Sequence, residues 1–191
     1  MAPRTRTLRT GALALAAASG LALFAAQTAF AAPAPKVGDT LPSFTLNTPA
    51  GTPVALSSLL KKGPVVLVVL RGYPGYQCPF CTRQVGEITS NSAEFAKHHA
   101  QILLVYPGPS DNLRQRATEF VPGKNMPANY TLVIDPGYTF LNKYSLRWDA
   151  PGETSHPSTF VLDKSGKVLF AKVSHEHGDR ASSEEILKAL P

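Results

Sequence analysis

Val65-Val66-Leu67-Val68-Val69-Leu70 is the clearest strand signal in the chain, six apolar residues without a break and four of them β-branched. A run of this kind cannot sit half exposed, so it is expected to be a central strand covered on both faces, as in a parallel sheet. Ahead of it lie two short β-like pieces, Phe44–Leu46 and Val54–Leu56, separated by the turn-forming Pro49-Ala50-Gly51-Thr52-Pro53. A helical turn, Ser57–Lys62, is expected to end at Gly63. Beyond the central strand, Phe80, Val85, Ile88 and Phe95 fall at roughly helical spacing and predict one helix from Pro79 to Lys97. Ile102–Tyr106 reads as the next strand, which completes a βαβ unit.

The second half repeats this alternation with shorter pieces. Asp111 is expected to cap a helix that runs to Phe120 and is stopped by Pro122-Gly123. Leu132–Ile134 predicts a strand and Tyr138–Tyr144 a short helix. Thr159–Leu162 and Lys167–Val173 flank Lys164-Ser165-Gly166 as a hairpin. Ser182 and Glu185 form a capping-box pattern that opens a last helix through Leu190. The fold class is therefore α/β: a central mixed β-sheet, parallel early and antiparallel late, flanked by helices and extended by N-terminal β pieces.

Composition changes this picture mainly at the N-terminus. The chain has 191 residues and a formal charge of +6. Residues 1–31 contain Arg4, Arg6 and Arg9, no acid, and an apolar stretch from Gly11 to Ala26. Ala29-Phe30-Ala31 places small residues before a cleavage point after Ala31, so residues 1–31 are expected to be a secretory signal. The apolar stretch falls short of the ~20 residues a spanning helix needs, which argues against a membrane anchor. No adjacent arginines and no Cys near the cleavage point favour a twin-arginine or lipoprotein signal. Residues 32–36 then read as an extended leader and 37–191 as one domain, exported to the periplasm or outside a bacterial cell. Without the leader arginines the charge falls to +3, which gives no case for nucleic acid. No P-loop, dinucleotide fingerprint or recognisable Ser-His-Asp arrangement is present, and no cofactor is expected.

The chemistry is expected to lie in the only two cysteines, Cys78 and Cys81, at the carboxyl end of the central strand. The first turn of a helix offers unpaired N–H groups and positive dipole character, which stabilise a thiolate. Two intervening residues let the sulfurs meet across that turn and cycle between dithiol and disulfide. A purely structural bridge closing so short a loop removes little chain entropy. Zinc needs four ligands and there is no second cysteine pair, so no metal is expected, although a dithiol that holds copper is a further alternative. His175-Glu176-His177 reads as a solvated loop rather than a metal site.

The segment Arg71-Gly72-Tyr73-Pro74-Gly75-Tyr76-Gln77-Cys78-Pro79-Phe80-Cys81-Thr82-Arg83-Gln84 resembles the active loop of the peroxiredoxin and alkyl-hydroperoxide-reductase (AhpC/TSA) group within the thioredoxin-like superfamily. Val37-Gly38-Asp39 with Leu41–Leu46, and Ser158–Asp163 with the following hairpin, are similar to the same group, over most of residues 37–175. The resemblance implies a thioredoxin-like fold and reduction of a peroxide substrate, reset by an external thiol or thioredoxin-like protein. In that register Cys81 is the peroxidatic residue, Cys78 stands in the place of a Thr or Ser, and Pro74 lies in the peroxide-positioning loop. The family's arginine before the Thr-Phe-Val-Leu-Asp strand is Pro157 here. That proline resembles the cis-proline of thioredoxins and related disulfide reductases, for which the nucleophile is Cys78 and the substrates are protein disulfides. Arg71 or Arg147 is the candidate replacement for the missing positive group.

Overall fold

The computed structural model describes residues 1, 32–121 and 126–191, so the expected signal segment and the Pro122-Gly123 stop lie outside the described residues. The elements in chain order are β1 (Thr45–Asn47), β2 (Pro53–Ala55), α1 (Leu56–Leu60), β3 (Val65–Val69), α2 (Pro79–Ser90), α3 (Ser92–Lys97) and β4 (Gln101–Gly108). They continue with α4 (Leu113–Phe120), β5 (Tyr130–Pro136), α5 (Thr139–Lys143), β6 (Ser158–Leu162), β7 (Val168–Val173) and α6 (Ser183–Ala189). One seven-stranded sheet has the order β2-β1-β5-β4-β3-β6-β7. β3, β4 and β5 run parallel, whereas β6 pairs antiparallel with both β3 and β7. The N-terminal hairpin β1–β2 extends the far edge through Asn47 opposite Ile134.

β3 is covered on both faces, as its unbroken apolar run requires. Val66, Val68 and Leu70 face a core built with α2, α3, α4 and α6, while Val65, Leu67 and Val69 face a second core with α1 and α5. This alternation is the period-2 geometry of a strand. Both cysteines belong to the first core. Among the described residues no helix is long and apolar enough to cross a membrane.

Three local expectations are corrected. The single helix Pro79–Lys97 is two, because Thr89, Ser90 and Asn91 in succession turn their side chains back onto the carbonyls of Val85, Gly86 and Glu87 at 2.7, 2.9 and 2.9 Å. Asp111 does not cap α4. Its N-cap is Asn112 in the left-handed conformation at φ 58, with no side-chain capping bond. The Pro157 peptide bond is trans, since no cis bond occurs among the described residues. By contrast, the capping box of α6 is fully formed by Ser182 and Glu185.

Candidate active site

The chain leaves β3 through Leu70 and Arg71 and turns at Gly72, whose φ of 68 puts it in the left-handed region. A Cβ there would lie 1.9 Å from the Pro107 carbonyl oxygen, so only glycine lets the loop pass β4 at this distance. The loop is pinned by Gln77, which accepts from the Tyr106 hydroxyl at 2.7 Å and donates to the Arg116 carbonyl at 2.9 Å. Cys78 is the N-cap of α2 and Pro79 opens its first turn, where a missing N–H costs nothing.

Both thiols are free and lie within hydrogen-bonding reach of each other, 1% and 0% exposed. The Arg71 backbone N–H donates to Cys81 Sγ at 3.3 Å. Arg180 Nη2 lies 3.8 Å from the same sulfur. The two sulfurs differ in charge preference. The hydrogen bond from Cys81 outweighs burial and lowers Cys78 to about 5, helped by the N–H groups of Cys81 and Phe80 and by the Arg180 charge. Cys81 is pushed well up, first because it donates that bond and then because it is the more deeply buried. The N–H groups at the head of α2 face Cys78 Sγ without closing a capping hydrogen bond, so their effect is electrostatic. Such an arrangement loses one proton readily and shares the second between the sulfurs.

A cleft of about 350 Å³ lies beside the loop, lined by Tyr73, Pro74, Leu113, Tyr138 and Glu153 among others. Neither sulfur lines it. Among the described residues no group of three or more His, Cys, Asp or Glu is placed to hold a metal.

A family model described as the AhpC/TSA family matches residues 37–171. The chain belongs to the AhpC/TSA family. A protein of Mycobacterium tuberculosis named as a peroxiredoxin is 31% identical over 157 residues, covering 81% of this chain and 96% of that one. Chloroplastic peroxiredoxin Q of Sedum lineare is 32% identical over 157 residues, covering 80% and 76%. The crystal structure of peroxidoxin BcpB from Mycobacterium tuberculosis aligns with a TM-score of 0.66 at 30% identity, over 81% of this chain and 96% of that one. The fold is thus thioredoxin-like, and this peroxiredoxin-like chain is a thiol-dependent oxidoreductase.

In this AhpC/TSA protein the expected site residues are distributed unevenly. Cys78, Cys81 and Arg71 come together, but the Arg71 guanidinium points to Glu153 at 2.9 Å, the Gly152 carbonyl at 2.7 Å and the Tyr76 hydroxyl at 2.6 Å. Only its backbone serves the sulfur. Arg147 donates to the carbonyls of Trp148, Glu153 and Thr154, and its guanidinium lies 4.1 Å from the Tyr138 ring centre. Pro157 is buried at the start of β6, where its carbonyl accepts from Ser174 N–H at 2.9 Å. Pro74 is half-buried and lines the cleft. In the His175–His177 stretch His175 and Glu176 are exposed, as expected of a solvated loop, whereas half-buried His177 contacts Glu153 at 3.0 Å and packs beside Phe80 between the cysteines. Nothing in the sequence marks Arg180 or Glu153 as part of the site, and His177 reads there only as part of a solvated loop. All three are polar residues remote in sequence from the cysteine motif, and no spacing rule marks them.

Proposed function

We propose that this chain is an exported peroxide reductase that cycles Cys78 and Cys81 between dithiol and disulfide and is reset by an external thiol or thioredoxin-like protein. The observation that supports it is the pair of free, adjacent sulfurs at the head of α2, with one negative charge stabilised between them. Export is supported by the arginine-led, alanine- and leucine-rich stretch before Ala31. The charge of the ionised pair rests first on Cys78. Movement of the remaining proton from Cys81 to Cys78 along their hydrogen bond places the thiolate on Cys81, the peroxidatic position in the family register.

That thiolate attacks one peroxide oxygen. The S–O bond forms as the O–O bond breaks, the sulfur is oxidised by two electrons and the peroxide is reduced by two. The leaving alkoxide or hydroxide takes the Cys78 proton and departs as alcohol or water. The Cys78 thiolate then attacks the sulfenic sulfur, forming the disulfide, and hydroxide leaves to be protonated by solvent. An external dithiol reduces the disulfide by exchange and is itself oxidised.

Stopped-flow thiol loss with hydrogen peroxide and an alkyl hydroperoxide tests this in wild type, Cys78→Ser and Cys81→Ser. Fast oxidation that survives in Cys78→Ser and vanishes in Cys81→Ser is the expected result. Rates near that of a free thiol in all three sink it. A second reading has its own observation, the lowering of Cys78 to about 5, which suits Cys78 as the attacking sulfur on a protein disulfide. It predicts rapid reduction of insulin disulfides that is lost in Cys78→Ser.

A further inference from the structure

Leu70 ends the central apolar run, and its carbonyl lacks the partner that a parallel ladder would give it. Val69 stands opposite Val105, and the Leu70 N–H donates to the Val105 carbonyl at 2.9 Å. In that register the Leu70 carbonyl would accept from the N–H of residue 107, which is Pro107 and has none. A buried carbonyl left without a donor is costly. The hydroxyl of Ser155, a residue 0% exposed, fills the gap and donates to the Leu70 carbonyl at 2.8 Å. The other end of the same peptide unit is the Arg71 N–H, which donates to Cys81 Sγ at 3.3 Å. Hydroxyl, peptide and sulfur form one continuous chain of hydrogen bonds.

The segment that carries Ser155 is braced. Ser155 pairs with Arg147 in an isolated antiparallel bridge. On either side of it the Trp148 N–H donates to the Thr154 carbonyl at 3.2 Å and the His156 N–H to the Leu146 carbonyl at 2.8 Å. Arg147 Nη1 adds bonds to the Glu153 and Thr154 carbonyls at 3.0 and 2.6 Å. The neighbouring Thr154 hydroxyl donates to the Arg71 carbonyl. That carbonyl belongs to the following peptide unit, shared with Gly72, and not to the one that serves Cys81.

We propose that Ser155 is a positioning residue for Cys81: its hydroxyl fixes and polarises the Leu70–Arg71 peptide so that the Arg71 N–H supports a thiolate on that sulfur. Pro107, by leaving the carbonyl open, hands control of this peptide to the loop ahead of β6. Arg147 acts one step further back, through the backbone of that loop. The inference goes beyond the peroxide reading and does not rest on it, because a hydrogen bond to the sulfur serves any thiolate chemistry.

The test uses the full mature domain in a Cys78→Ser background, where Cys81 is the lone thiol. Its ionisation is read from ultraviolet thiolate absorbance and from alkylation rate against pH, neither of which involves peroxide. Adding Ser155→Ala is expected to raise that ionisation by about half a pH unit and to slow alkylation about threefold below it, with rates converging above it. Ser155→Thr keeps a hydroxyl and is expected to hold the background value. Thr154→Val is the matched control: it removes a hydroxyl of the same loop from the next carbonyl, lowers Tm and leaves the ionisation in place. An unmoved ionisation in folded Ser155→Ala overturns the proposal, and so does an equal shift in Thr154→Val. Should Ser155→Ala fail to fold, NMR of the background variant decides. The Ser155 Cβ resonance is expected to follow the Arg71 amide proton, with one midpoint, as Cys81 ionises; a Ser155 resonance that stays still overturns the proposal. One round of peroxide oxidation in the same variants separates the two readings. Rates near that of a free thiol throughout, with the ionisation shift intact, sink the peroxide reading and leave Ser155 its role.

Discussion

Cys78 combines two tasks that the family pattern divides between residues. Standing where a Thr or Ser is expected, it keeps a hydrogen bond to the neighbouring sulfur and adds a thiol that closes the disulfide. Replacing it by threonine separates the two. Cys78→Thr is expected to retain one round of peroxide oxidation and to lose multiple turnover with a dithiol donor, read by comparing a stopped-flow trace with a steady-state assay. Glu153 offers a pH-dependent counterpart. Burial pushes its carboxyl up, but hydrogen bonding and charge from Arg71 and His177 more than offset this and hold it below its usual 4.5. A carboxyl depressed on folding contributes stability that is present above pH 4.5 and lost as pH falls through the folded value. Tm curves of wild type and Glu153→Gln are therefore expected to differ at neutral pH and to converge in acid.

At the scale of elements, the helix that carries the cysteines is short because its C-terminal end undoes itself. Thr89, Ser90 and Asn91 bond their own preceding turn, and Asn91 serves both as C-cap of α2 and N-cap of α3. The apolar spacing from Phe80 to Phe95 predicts one helix, because periodicity reports which face is buried and not whether the axis is continuous. Ser182 and Glu185, in contrast, form a local pattern with a local cause, and the structure has the helix start they announce. Ser182→Ala is expected to cost about 1 kcal/mol in urea unfolding, as for other N-cap losses. The position of Arg180, two residues ahead of that cap, follows from the packing of α6 and not from any nearby motif. The cysteine motif was legible, since strand, loop and helix entrance are contiguous. The cation was not, since its contact with Cys81 exists only once β6 and β7 are in place.

Over the whole molecule the central position of β3 decides where the chemistry sits. Flanked by β4 on one side and β6 on the other, β3 delivers the cysteine loop to the carboxyl ends of the parallel strands, the usual location of sites in open α/β sheets. Leu67 is 1% exposed in the core opposite the cysteines. Leu67→Ala is expected to lower unfolding free energy by about 2–5 kcal/mol, while the thiol ionisation keeps its wild-type pH in the fraction that folds. The burial of both sulfurs has a kinetic consequence of a different kind. If the segment from Gly72 to Gln77, held to β4 and α4 through Gln77, is what covers them, its local opening acts as a gate for any reagent. For a bulky disulfide reagent, labelling should then stop rising with concentration and level off at the opening rate. Gln77→Ala, which releases both the Tyr106 and the Arg116 contacts, should lift that plateau. A plateau shared by wild type and variant would place the gate elsewhere in the fold.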